Sequence, residues 1–281
     1  MGDHRQQQPR VFSAAGVRVT RRQRATGRVG LNYLFDFGLA PYINYSTSFI
    51  PVAGTTLTGS PFKPLEGRGA EVGIKYQPTG MNLLLTAAAF EIYQENILSA
   101  DPANVFFSIQ TDEARVRGVE FEARGNVTRE LEIIGGVSYL DPRVSKSAAG
   151  LTGNYLPNVA LEQAALWAYY TFYTGPIAGF GFGGGVRYVG ESYGDSANLL
   201  RMPSYTLFDA ALSYDFAYLR PELKGLKAQI NARNLTDHYY ATNCFTGTAY
   251  CGLGASRSIL FTLRYNWQQA QLATPASLIT K

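Results

Sequence analysis

Glu120 and Glu122 are the residues whose type and spacing most invite a reaction. Two carboxylates on one strand face, followed there by Arg124, resemble the pair a glycosidase uses as proton donor and as base or nucleophile. Their setting argues for another role. Val119, Phe121 and Ala123 alternate with them, so three successive charges define a face that meets water, and the pair reads as solvated charge in a wet interior. The two histidines, His4 and His238, support neither a metal triad nor a His-activated nucleophile, and His238, beside Tyr239 and Tyr240, reads as a loop residue. G-F-G-F-G-G over 179–184 matches the dinucleotide fingerprint in spacing, but an aromatic-alternating strand follows it where that fingerprint needs a helix. Glycines on the inner face of a strand account for it better. Cys244 and Cys251, the only cysteines, lie in a Gly/Thr/Asn-rich stretch that fits a small loop disulfide in an oxidising compartment, with a zinc half-site as the alternative. Sequon-like matches at Asn44, Asn126 and Asn234 fall at or beside expected strands and carry no weight.

The elements that must hold these residues are strands. The chain has 281 residues, enough for a sizeable core, and only 16% are charged, against roughly 25% in ordinary soluble domains. Tyrosine (19), phenylalanine (16) and glycine (29) are abundant. No apolar run reaches the roughly 18 residues a membrane helix needs, which leaves alternating membrane strands open. The net charge of +4 is confined to the N-terminus, where seven arginines up to Arg28 face a single acid, Asp3. Beyond Arg28 acids outnumber bases, so no basic patch supports nucleic-acid binding.

From Thr26 onward apolar residues recur at a period of two. The last such segment, Arg257 to Trp267, sets Ile259, Phe261, Leu263, Tyr265 and Trp267 against Ser258, Leu260, Thr262, Arg264 and Asn266. About eleven strands of roughly ten residues follow this pattern, joined alternately by short turns and longer polar loops. Apolar faces that end in Tyr, Phe or Trp describe a transmembrane antiparallel β-barrel better than a soluble sandwich, which has no use for aromatic girdles. The fold class is therefore all-β.

Several strings carry a resemblance: G-R-G-A-E-V-G-I-K-Y-Q-P over 67–78, A-R-V-R-G-V-E-F-E-A over 114–123, G-V-R-Y-V-G over 185–190, P-S-Y-T-L-F-D-A over 203–210, N-A-R-N-L-T-D over 231–237 and L-R-Y-N-W over 263–267. They resemble the C-terminal half of the barrel of TonB-dependent siderophore receptors, in particular the ferrichrome-type branch, which also has a short-spaced cysteine pair before its last strand. The resemblance covers about residues 27–267. It implies active uptake of a ferric siderophore, carried as cargo with no resident cofactor or metal, through a barrel of about 22 strands with a plugged lumen. The partners it implies are outer-membrane lipid, the ferric siderophore and, in a full-length receptor only, the TonB complex. In that branch the aromatic after the first loop cysteine faces the ligand, here Phe245. Tyr250 is a second candidate, and either can instead be a loop aromatic packing on its own disulfide.

The departures shape further expectations. Residues 1–26 form a basic segment that does not resemble the family and reads as a disordered tail. Its abrupt junction with a good match at Thr26 suggests a frameshift, a late start codon or a degraded gene. Neither plug, coupling segment nor secretory signal is evident, and residues 268–281 run past Trp267, where such barrels generally end on an aromatic that the outer-membrane assembly machinery reads. About half a barrel is expected not to transport alone, because its open edges leave backbone groups unsatisfied in lipid. The alternatives are a small closed barrel acting as a passive pore and a soluble β-sandwich binding protein.

Overall fold

A period of two commits each segment to a strand with one greasy and one wet side, and eleven such strands pair in chain order into one antiparallel sheet. They are β1 (Arg28–Asn32), β2 (Leu39–Ile50), β3 (Leu65–Tyr76), β4 (Leu83–Asp101), β5 (Asn104–Asn126), β6 (Leu131–Lys146), β7 (Glu162–Thr171), β8 (Phe180–Val189), β9 (Tyr205–Asp215), β10 (Leu226–Arg233) and β11 (Ser258–Tyr265). The computed structural model describes residues 11–13, 16–18, 23–101, 104–244 and 250–267. The tail 268–281, Phe245 and much of the segment 1–26 lie outside the described residues. Helical structure among the described residues is limited to two 3-10 turns, Phe216–Tyr218 and Pro221–Leu223, between β9 and β10.

Short turns join the strands at one end of the sheet. At the other end come the longer connections 51–64, 147–161, 190–204 and 234–257. The register carries like side chains across the sheet. Leu31, Ile43, Val72, Ala89, Val119 and Tyr139 stand opposite one another on β1 to β6, and Phe182, Leu212, Ile230 and Phe261 do so on β8 to β11. No described residue covers this face: Val72, Val119 and Phe261 remain 55%, 53% and 63% exposed. A sandwich would bury such a face under a second sheet. Here the buried apolar cluster among the described residues is only Ala40 and Leu84, with Leu34 packed against it. An uncovered apolar face edged by Tyr45, Tyr139, Tyr265 and Trp267 suits hydrocarbon.

The other face carries Glu120, Glu122, Arg124, Arg187, Asp209 and Lys227, and glycines there seat aromatic rings. A Cβ on Gly118 would stand 2.6 Å from Phe90 Cζ, and one on Gly183 would stand 2.9 Å from Trp167 Cζ2. The fingerprint-like run is thereby explained and partly corrected. Gly181 and Gly183 face inward, whereas Gly184, opposite Ala168, faces the apolar side and Gly179 makes a turn at φ +87°. Gly183→Val is expected to cost about 1–3 kcal/mol by displacing the Tyr169 and Trp167 rings, read as a lower denaturation midpoint of the folded sheet.

Three expectations need amendment. Strand lengths are not uniform: β1 has 5 residues, whereas β4 and β5 have 19 and 23. Beyond the apolar band the same face of the latter two continues with Glu91, Glu95, Arg115 and Arg117, while Ile92, Ala114 and Val116 lie on the other, so pairing outlasts the apolar signal of that face. Within the basic segment, Val11–Ser13 and Gly16–Arg18 pair as a separate two-stranded ribbon, favoured by Val11, Phe12 and Val17. Finally, β1 and β11 are both edges of the sheet. An odd-stranded meander leaves its two edges running the same way, so a small closed barrel would need a parallel seam between them, and the described residues contain none.

Candidate functional site

The long-loop end of the sheet is held by side chains that substitute for missing strands. Ala241–Cys244 and Cys251–Leu253 pair as a short hairpin in the β10–β11 connection, with Cys244 opposite Cys251 and the two joined by a disulfide. That bond leaves no thiolate for zinc, and no group of three or more His, Cys, Asp or Glu among the described residues is placed to hold a metal. Cys244 is buried, and two other loops meet it. Asn158, from the β6–β7 connection, accepts from the Cys244 amide at 2.7 Å and donates Nδ2 to its carbonyl at 3.0 Å, as a neighbouring strand would. Gly194, from the β8–β9 connection, packs so closely that a Cβ there would lie 2.8 Å from Cys244 Cβ.

The same loops are tied to each other. The Asn158 amide donates to the Tyr193 carbonyl at 2.7 Å, Asn198 brackets the Tyr155 backbone at 2.6 and 3.0 Å, and Tyr155 stacks on Tyr193 at 5.6 Å. Arg201 pairs with Glu191, whose hydrogen bonds raise the guanidinium above its ordinary pKa and close the base of the 190–204 loop.

Below the hairpin, on the wet face, Arg187 of β8 forms a two-pronged pair with Asp209 of β9 at 2.6 and 3.0 Å. Asp209 also accepts the Asn234 amide at 2.9 Å. Asn234 is 2% exposed, and its side chain donates to the carbonyls of His238 and Ala255 and accepts from the His238 amide. Tyr205 lies against Tyr240 at 4.3 Å, with His238 stacked beyond at 6.5 Å. Three of the strings singled out in the sequence thus meet at one junction, supplying Arg187, Asp209 and Asn234 as framework for the loop that carries the disulfide. Tyr250 is exposed beside Cys251. Glu120 and Glu122 remain exposed on the wet face of β5, with Arg124 near Glu122.

Residues 3–235 match the family model described as TonB dependent receptor-like, beta-barrel, a range that takes in most of the N-terminal basic segment as well as the sheet through β10. The chain belongs to the TonB-dependent receptor family. It is 38% identical over 242 residues to the ferrichrome outer membrane transporter/phage receptor of Escherichia coli K12, covering 86% of this chain and 32% of that protein. It is 35% identical over 246 residues to the ferrioxamine receptor of Yersinia enterocolitica, covering 86% and 33%. Its fold superposes on the crystal structure of the siderophore receptor PiuA of Acinetobacter baumannii with a TM-score of 0.70 at 26% identity, covering 85% of this chain and 35% of that one. The chain spans about a third of the length of the curated relatives it matches. The eleven strands are TonB-dependent receptor barrel, and the outer membrane is their place.

In this receptor chain the asparagines are the residues that spacing alone does not reveal. Asn158, Asn198 and Asn234 adopt φ of +60°, +59° and +50°, a region open to Asn because its short side chain bonds locally. An Asn inside a Gly/Pro-bearing loop is the only sequence signal, and it does not say which partner the amide finds. Asn158→Ala removes both bonds to Cys244 and is expected to speed reduction of the Cys244–Cys251 disulfide about tenfold in thiol-exchange kinetics. An unchanged rate would show that the clamp does not hold the hairpin.

Proposed function

We propose that these strands form the C-terminal sector of a barrel that imports a ferric siderophore across the outer membrane, driven by the TonB complex in the whole receptor. One observation carries this reading. A disulfide-closed hairpin is held by two neighbouring loops above the wet face of a family barrel, the arrangement expected of a loop that presents side chains to a ligand at the mouth of a lumen. Phe245 and Tyr250 are the proposed contacts, flanking the two cysteines. Identity to a ferrichrome transporter and a ferrioxamine receptor supports a cargo of that kind. The siderophore is substrate, and the apolar face is proposed to contact lipid. With β1 and β11 each paired on one side only among the described residues, the 281 residues expressed by themselves are expected to restore no uptake.

Exchange of the corresponding stretch of the Escherichia coli ferrichrome transporter for residues 27–267 tests the proposal in an iron-limited strain lacking that transporter. Growth on ferrichrome or ferrioxamine is expected, with the combined Phe245→Ala and Tyr250→Ala change weakening cargo affinity about tenfold or more. A chimaera that reaches the outer membrane intact and supports growth on neither cargo would contradict it.

A further inference from the structure

We infer that Arg143 of β6 is a positioning residue for the disulfide hairpin, acting through a Tyr155–Tyr193 stack that stands between β6 and the 190–204 loop. The inference rests on reading that hairpin as the loop that meets the cargo, and it adds the residue that sets the hairpin's place. Beyond the apolar band, Arg68 and Arg117 pair with Glu95 and Glu91 on adjacent strands, contacts that stay within the sheet. Arg143 differs. Arg115 stands directly opposite it on β5, and like charges facing each other across a strand pair repel. Its donors go to Asp141 of its own strand at 2.6 Å, to the Gly153 carbonyl at 2.9 Å and to the Tyr155 hydroxyl at 2.6 Å. One guanidinium thus serves a carboxylate, a carbonyl and a hydroxyl, an arrangement that suits the planar fork of arginine and not the point charge of lysine.

The local sequence brings the two partners together. After β6 the chain turns over Gly150 and Gly153, at φ +74° and +93°, and runs back along the strand, so that Tyr155 bridges Arg143 as in an antiparallel pair. The Val144 amide donates to the Asn154 carbonyl and the Leu156 amide to the Pro142 carbonyl, each at 2.9 Å. Residues opposite each other in such a pair set their side chains on one face, and the Arg143 guanidinium lies over the Tyr155 ring, 4.1 Å from its centre. The Tyr155 ring in turn stacks on Tyr193 with the planes 8° apart. Around Tyr193 are the two residues that hold the hairpin: its carbonyl accepts the Asn158 amide, and Gly194 follows it in the chain and abuts Cys244. Backbone bonds keep 154–156 against β6 with or without Arg143. What Arg143 adds is the plane of the Tyr155 ring, and with it the position at which the 190–204 loop meets Cys244.

The test is the rate at which a small thiol reduces the Cys244–Cys251 disulfide in the full chain in detergent. Arg143→Lys keeps the charge and loses the fork, and is expected to speed reduction about fivefold. Tyr155→Leu should do the same, whereas Tyr155→Phe, which keeps the ring between the guanidinium and Tyr193, should stay within about twofold of the native rate. In an Asn158→Ala background Arg143→Lys is expected to add less than about twofold, because both changes release the same clamp. Arg117→Lys, the same change on β5 at a residue paired within the sheet, should leave the rate as it was. Native rates in Arg143→Lys and Tyr155→Leu overturn the inference. So does an equal acceleration by Arg117→Lys or by Tyr155→Phe, or a full multiplication of the Arg143→Lys and Asn158→Ala effects, each of which would mark a general loosening of the loops. The rate is read with no siderophore present, so it judges Arg143 separately from the growth of the chimaera on cargo.

Discussion

Val137→Lys is expected to destabilise the membrane-inserted sheet by about 2–4 kcal/mol, whereas Ser138→Lys, one residue along, is expected to change stability by no more than about 0.5 kcal/mol. Val137 pairs with Phe121 and Ala164 on the apolar face and is 52% exposed to whatever surrounds the protein. On the proposed lipid-facing side an ammonium there must be carried into hydrocarbon. Ser138 pairs with Glu120 and Gln163 on the wet face, where an added cation meets a carboxylate. Denaturant titration of the two variants in lipid vesicles measures the difference, and equal effects would mean that the two faces do not see different solvents.

Asn234→Ala is the second large effect. The buried amide satisfies the His238 amide at 2.8 Å and the carbonyls of His238 and Ala255 at 3.0 and 3.1 Å. Removing it strands three backbone groups at about 1–3 kcal/mol each, less than additively, and places alanine in a left-handed conformation that costs about 1–2 kcal/mol. The 234–257 connection is expected to loosen as a unit, with hydrogen exchange at the His238 amide faster by about a hundredfold or more. Asn234→Asp keeps the acceptor and loses both donors, so it should fall between alanine and the native residue. Because the same connection carries the disulfide hairpin, the alanine change is also expected to weaken cargo binding by a receptor that contains it.

The strands were legible because a strand with one apolar and one wet face cannot hide its pattern. Val119 to Arg124 alternates without exception, and its register with β4 and β6 follows directly. The extent of β4 and β5 was not legible. From Glu91 to Glu95 the face that is apolar below turns to Glu91, Tyr93 and Glu95, with Ile92 and Gln94 on the other, so the apolar signal of that face ends while the backbone ladder continues. The cysteine pair could be read as a disulfide or as half a zinc site, since spacing alone is compatible with both. The loop framework was hidden for a different reason. Asn158 finds Cys244 across 86 residues, and such a contact leaves no periodic trace. Arg187, Asp209 and Asn234 stood inside strings that carried the family resemblance, yet only their convergence shows those strings to be scaffold for a loop.

The most direct measurement is the accessibility of single spin labels along β5, from Val119 to Arg124, in bilayers. Labels at Val119, Phe121 and Ala123 should collide with oxygen dissolved in the lipid, and labels at Glu120, Glu122 and Arg124 with a water-soluble nickel complex, in strict alternation. If these residues are a barrel wall, the two profiles are out of phase by one residue. In-phase profiles, or labels at all six positions reached equally by the nickel complex, would contradict a lipid-facing wall.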